Sequence, residues 1–131
     1  MVQGYEIIIV GGGLAGAAFA KAMAQNGAHV LVVERETRFR DRIRGEVLGP
    51  WGVAELRKLG LDHLLLESCA RELRWFETYL ECMRIARRDL PATNPFGLPA
   101  MNWVHYDMEE VLLHVASDAG AEVRRVCRCA T

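Results

Sequence analysis

Apolar residues fall into blocks whose period changes along the chain. Tyr5–Val10 (YEIIIV) is a continuous β-branched run, the pattern of a strand buried on both faces of a parallel sheet. Gly11 to Gly13 break it. Leu14 to Gln25 is Ala-rich with small residues on most faces, which predicts a helix lying close on a sheet, and Asn26-Gly27 supplies its stop. Ala28–Glu34 (AHVLVVE) repeats the buried-strand pattern. Strand, glycine turn, helix and strand make a β-α-β unit, whose crossover is right-handed in nearly all proteins.

Beyond it the pattern loosens. Residues 35–44 are a polar, arginine-dense connection. Pro50 suits a first helical turn, and Val53, Leu56 and Leu59 follow at helical spacing up to Gly60. Leu61 to Ser68 extends this as a second short helix. Glu72 to Arg88 alternates charged, aromatic and β-branched residues, which reads as one or two strands, and proline-rich Pro91–Pro99 reads as a loop. Asp107 and Glu110 have capping-box spacing. Met108, Val111, Leu112, Val115, Ala116 and Ala119 then share one helical face, ended by Gly120. Ala121 to Val126 reads as the third parallel strand, which makes about residues 45–103 an insertion. The expected fold class is α/β: a Rossmann-like unit with a parallel sheet and an inserted helix/β segment, incomplete as it stands, with residues 1–131 forming one domain.

Composition narrows the function. Of 131 residues, 51% are hydrophobic and 25% charged, and the net charge of -1 points to neither a nucleic-acid nor a membrane-surface partner. The charge-free run Ile7–Ala20 is too short to span a bilayer and has no basic segment before it, so a cytosolic protein is expected. Cys69, Cys82, Cys127 and Cys129 lack zinc spacing and read as reduced thiols, so no metal site is expected.

Gly11, Gly13 and Gly16 form G-x-G-x-x-G between a strand and a helix. The first allows a sharp turn, the second lets a pyrophosphate approach the backbone, and the third lets helix and strand lie close. The N–H groups of this turn, with Leu14 and Ala15 between the second and third glycines, face the phosphates together with the positive end of the helix dipole. Glu34 ends the second strand, 21 residues after Gly13. Its carboxylate can accept hydrogen bonds from ribose hydroxyls and would repel a 2′-phosphate, which argues against NADP at this site. The competing reading is a glycine turn with a purely structural role. The motif alone does not separate NAD from FAD.

Arg35, Arg38, Arg40, Arg42 and Arg44 place five guanidinium groups in residues 35–44. Arg38 and Arg40 read as solvated loop residues. The stretch Arg42-Ile43-Arg44-Gly45-Glu46-Val47-Leu48-Gly49-Pro50, followed by Val53, Leu56 and Leu59-Gly60-Leu61, resembles the second FAD-contacting segment of the para-hydroxybenzoate hydroxylase-like flavoproteins. His105, with Leu112, Ala116, Gly120 and Val123 after it, matches that family's polar residue at a helix opening before L-x-x-x-A-x-x-x-G-A-x-V. The resemblance implies that Arg42 and Arg44 reach the FAD pyrophosphate and adenosine half, with Arg35 beside them, and that His105 touches the cofactor.

By the same resemblance the activity is that of an FAD-dependent monooxygenase. NADH or NADPH is its co-substrate, O2 supplies the oxygen, and a small organic molecule is hydroxylated. The cofactor carries the difficult chemistry, and no side chain stands out as the catalytic acid or base. The family's later D-G and G-D motifs are not found, so a fragment that binds FAD weakly or not at all by itself, and turns over no NADPH, is expected. Alternatives on the same scaffold are a halogenase, an isoprenoid-chain reductase or a non-catalytic nucleotide-binding module. Lys21 and Lys58, the only lysines, both lie in predicted helices, which weakens the halogenase reading.

Overall fold

The computed structural model describes residues 4–42 and 45–125. In chain order the elements are β1 (Ile7–Val10), α1 (Leu14–Gln25), β2 (Val30–Glu34), β3 (Val47–Leu48), α2 (Pro50–Lys58), α3 (Asp62–Ser68), β4 (Ala70–Leu73), β5 (Trp75–Leu80), β6 (Met83–Asp89), α4 (Leu90–Thr93), β7 (Ala100–Trp103), α5 (His105–Asp118) and β8 (Glu122–Arg125). They divide into two compact units, one of residues 1–42 and 105–131, the other of residues 43–104.

The first unit is a three-stranded parallel sheet in the order β1-β2-β8. Ile7 to Val10 pair with Val30 to Val33, and Leu31 to Glu34 pair with Glu122 to Arg125. Helix α1 packs on β2 and against α5. Ala17 and Ala20 are fully buried, and their small side chains let the facing Met108, Leu112 and Leu113 of α5 fill the space between the elements. Each such α5 side chain contributes about 1.5–3 kcal/mol through burial. Helix α1 ends at Asn26, and Gly27 follows with φ +87°.

Two expectations change here. β1 is buried on one face only: Ile8 and Val10 are 61% and 73% exposed, while Ile7 and Ile9 turn inward. A β-branched run reveals a strand but not whether both of its faces are covered. The capping box at Asp107 and Glu110 is not formed, because the helix already begins at His105. Glu110 accepts instead from the Phe39 N–H and from Arg125. Val126, Cys127 and Cys129 lie outside the described residues.

The second unit contains α2, with Pro50 in its first turn, then α3 and an antiparallel sheet β3-β7-β4. Val47 and Leu48 pair with Asn102 and Met101, and Ala70 to Leu73 pair with Trp103 to Ala100. Leu61, Leu65 and Met101 are fully buried. Asp62 is buried as well, and its carboxylate accepts from Arg57 Nε at 2.9 Å. Burial pushes its carboxyl up, but the bond from Arg57 and one from the His63 backbone hold it below the usual range.

The alternating segment begins at the end of β4 and forms the two strands β5 and β6. β5 and β6 make a separate hairpin with an irregular step at Thr78/Tyr79. Period-two alternation sorts its side chains. Glu77 on one face takes Arg84 and Arg87, and Arg87 lies 3.9 Å from the Trp75 ring centroid. Phe76, Leu80 and Met83, on the other face, stay exposed. The predicted loop from Pro91 begins inside a helical turn, α4, because the Asp89 carboxylate accepts from the Ala92 N–H and Pro91 suits a first turn.

Candidate dinucleotide site

The glycine turn sits at the carboxyl end of β1, where an open parallel sheet presents ligand sites. Gly11 has φ +103°, a conformation L side chains rarely adopt, and its N–H is held by Val33 O at 2.9 Å. A Cβ on Gly16 would lie 2.0 Å from the Gly11 carbonyl oxygen and 3.2 Å from Ile9 Cγ2. No side chain fits there, so α1 and β1 meet at backbone distance. Gly13 is different. It caps α1 in an extended conformation without a side-chain cap, and a Cβ there would meet one atom within 4 Å, Glu109 Oε1 at 3.4 Å. Beside Gly11 the space is open.

Glu34 is 6% exposed. Its Oε2 accepts the Gly12 N–H at 2.6 Å and its Oε1 the Glu36 N–H at 2.9 Å. These bonds tie the end of β2 to the glycine turn and fix the carboxylate beside it. A carboxylate has about four lone-pair positions, so acceptor capacity remains for ribose hydroxyls. An uncapped helix start, open space at Gly11 and Gly13 and an anchored acid together fit a pyrophosphate-bearing dinucleotide.

Three of the described arginines of this segment share an acidic partner. Glu36, which the sequence reading passed over, gathers Arg42 at 3.1 Å, Arg35 at 3.7 Å and Arg40 at 3.8 Å. These are exposed pairs of small energy, so they hold the guanidinium groups weakly. Arg44 lies outside the described residues. The backbone of the segment is held more firmly. Arg125 reaches the Thr37 carbonyl at 2.9 Å and forks onto Glu110 at 3.1 and 2.5 Å, while Phe39 N donates to the same carboxylate. Burial pushes the Glu110 carboxyl up, but the Arg125 and Phe39 hydrogen bonds outweigh it and hold the group below the usual range.

His105 opens α5 and contacts Glu109, one turn on. Glu109 was also passed over; its only sequence signal is the i,i+4 spacing from His105. Trp51 is 67% exposed and Trp75 45% exposed, so of the three tryptophans only Trp103 is a core residue.

Strand, glycine turn, helix and acid-ended second strand define a dinucleotide-binding β-α-β protein. More narrowly, the chain belongs to the FAD binding domain family, whose match covers residues 4–131. It is 40% identical over 76 residues to squalene monooxygenase SE2 of Panax ginseng, which covers 58% of this chain and 14% of that protein. With squalene epoxidase ERG1 of Candida albicans it shares 31% identity over 96 residues, 70% of this chain and 19% of the relative. Among solved structures, Pseudomonas aeruginosa PqsL in complex with 2-aminobenzoylacetate superposes with a TM-score of 0.77 at 20% identity, over 93% of this chain and 33% of that one. The p-nitrophenol 4-monooxygenase PnpA of Pseudomonas putida DLL-E4 gives 0.77 at 21% identity, over 92% and 31%. At these identities the structural likeness shows the fold. The chain therefore spans less than a fifth of these two curated relatives and about a third of these structures. Among the described residues, no helix is long and apolar enough to cross a membrane.

Proposed function

We propose that this chain is the FAD-binding portion of a flavin-dependent monooxygenase that uses NADH or NADPH and O2 to oxygenate a small organic substrate. The observation that carries the reading is the glycine turn. It is open at Gly13, closed to any side chain at Gly16, and tied to a buried Glu34 in a chain of the FAD binding domain family.

In this reading the N–H groups of Gly11 to Gly16, including those of Leu14 and Ala15, receive the pyrophosphate. Glu34 accepts from the adenosine ribose. Arg35, Arg42 and Arg44 supply positive charge to the phosphates and adenosine, which requires Arg42 to leave Glu36. His105 contacts the cofactor from the start of α5. Bound flavin would supply the redox chemistry and oxygen activation. The protein's part is to bind, to orient and to keep the adenosine end anchored.

The substrate has two readings. The solved neighbours PqsL and PnpA favour a small aromatic molecule, and PqsL carries 2-aminobenzoylacetate. The squalene monooxygenases, at 40% identity over 76 residues, favour an apolar isoprenoid chain.

The site is tested by titrating the isotope-labelled chain with FAD, and with ADP as the fragment that matches the adenosine end. Amide shifts are expected at Gly11 to Gly16 and around Glu34, and Gly13→Val should weaken both ligands by about tenfold or more. Amides that stay still at millimolar ligand would overturn the reading, as would a Gly13→Val chain that binds as the parent does.

A further inference from the structure

Glu34 is the last residue of β2, and the ladder between β2 and β8 stops with it. Its register partner on β8 is Arg125. Beyond that point two side chains hold the backbone. Arg125 Nη1 donates to the Thr37 carbonyl at 2.9 Å and lies 3.5 Å from that of Glu36. The guanidinium also forks onto both oxygens of Glu110, at 3.1 and 2.5 Å, and Glu110 accepts the Phe39 N–H at 3.1 Å. The guanidinium carbon stands 5.0 Å from the centroid of the buried Phe39 ring. A fork fixes a guanidinium in direction as well as distance, so Glu110 aims Arg125 at the loop carbonyls.

The loop held in this way returns to the buried acid. Glu36, whose carbonyl faces Arg125, gives its own N–H to Glu34 Oε1 at 2.9 Å. The Gly12 N–H occupies Oε2 at 2.6 Å. One oxygen of the carboxylate is thus tethered by the glycine turn and the other by the loop. We infer that Glu110 and Arg125 are positioning residues for Glu34: they fix the Glu36 N–H, and through it the orientation in which the carboxylate accepts from a ribose. Neither side chain touches the ligand in this scheme. The inference rests on the FAD reading above, in which Glu34 meets the adenosine ribose, and adds the device that aims it. Without the pair Glu34 keeps its place on β2 but loses its second tether, and binding must then order the carboxylate at a cost in affinity.

The 2′-hydroxyl of the ligand reports on that carboxylate. ADP and 2′-deoxy-ADP are titrated into the isotope-labelled chain, and the ratio of the two affinities is read from the amide shifts. The parent should prefer ADP by about three- to tenfold, the range of one net hydrogen bond. In Glu110→Ala and in Arg125→Ala the ratio should fall toward unity, and the double variant should match the lower of the two, since the residues act in series. Arg57→Ala removes the partner of buried Asp62 in the second unit and should keep the parent's ratio, because a general loss of stability weakens both ligands alike. Glu110→Gln guards against a variant that does not fold. It keeps an acceptor for the Phe39 N–H and loses the charge that anchors the fork, so its ratio should lie below the parent's. Folded Glu110 and Arg125 variants that discriminate as the parent does would overturn the proposal. A parent that binds the two nucleotides equally would overturn the Glu34–ribose reading itself, and this inference with it. A parent that prefers ADP keeps that reading whatever the variants do.

Discussion

Gly16→Ala separates the folding role of the glycine turn from its ligand role. At an open position in a helix, alanine is favoured over glycine by about 1 kcal/mol. Gly16 is the third residue of α1, so propensity alone predicts a gain. The structure predicts the opposite. The new Cβ would lie 2.0 Å from the Gly11 carbonyl oxygen, 3.2 Å from the Gly11 carbonyl carbon and 3.2 Å from Ile9 Cγ2. The first contact is with backbone, so no rotamer can relieve it. Gly11 cannot retreat without losing its bond to Val33 O at 2.9 Å, and α1 cannot lift without uncovering Ala17 and Ala20. Overpacking usually costs about 1–3 kcal/mol, and a backbone clash belongs at or above the top of that range. After the helix-propensity gain, a net loss of about 2–3 kcal/mol remains. For a domain of this size that lowers the melting temperature by roughly 10 °C. The assay is thermal unfolding followed by far-ultraviolet circular dichroism, with Gly13→Ala as the control. At Gly13 the added methyl meets only Glu109 Oε1 at 3.4 Å and its φ of −71° suits alanine, so only the N-cap preference for glycine, about 0.5–1 kcal/mol, should be lost. A Gly16→Ala chain that melts within about 2 °C of the parent would refute the reasoning, because helix–strand contact at backbone distance would then not hold the turn.

Two other substitutions test the contacts around the site and in the second unit. Glu110→Gln weakens the fork to Arg125 and should lower stability at pH 7 by about 1 kcal/mol, the value of a charge-assisted hydrogen bond discounted for partial exposure. The folded-state pKa of Glu110 lies below its ordinary 4.5, so its contribution is complete above that value and is lost as pH falls through the folded value. The difference between parent and variant in urea unfolding should therefore shrink below pH 4.5; a difference that grows on acidification would contradict the assignment. In the second unit, Arg57→Ala leaves the buried Asp62 carboxylate without its guanidinium and should cost about 1–2 kcal/mol, since Arg57 itself is half exposed. An unchanged urea midpoint would show that the His63 backbone bond suffices for Asp62.

Much of the first unit was legible before any coordinates. Its signals are local: β-branched runs at Ile7–Val10 and Val30–Glu34, an alanine-rich helix between glycines, and an apolar stripe from Met108 to Ala116. Helix α1 spans the expected Leu14–Gln25, and β8 joins β2 in parallel. Gly11 and Gly16 were also readable, because each answers to a backbone demand that a side chain would violate, whereas the space at Gly13 is open. The second unit was harder. β3 is two residues long and β7 four, and neither length gives a period. The exposed hairpin carries polar contacts on one face and bare Phe76, Leu80 and Met83 on the other, so its alternation mixes both kinds of residue.

Charged side chains near the site were the least legible, because their partners are chosen in three dimensions. Asp107 and Glu110 had the spacing of a cap, yet the helix started two residues earlier and Glu110 found Arg125, 15 residues away. Arg42 and Arg44 invited a phosphate reading by resemblance, and Glu36 stands among the arginines and pairs with Arg35, Arg40 and Arg42. Such exposed pairs cost little to break, so they are compatible with a role that begins when phosphate arrives. The opposite holds at Glu34, which is buried and bonded to two backbone N–H groups. Its position is settled by the fold, and a ligand must come to it. In the proposed function the glycine turn and Glu34 would therefore be the preorganised half of the site, whereas the arginine segment would rearrange on binding. That asymmetry is physical: a buried acceptor must be satisfied in the folded chain, whereas an exposed guanidinium can exchange one anion for another.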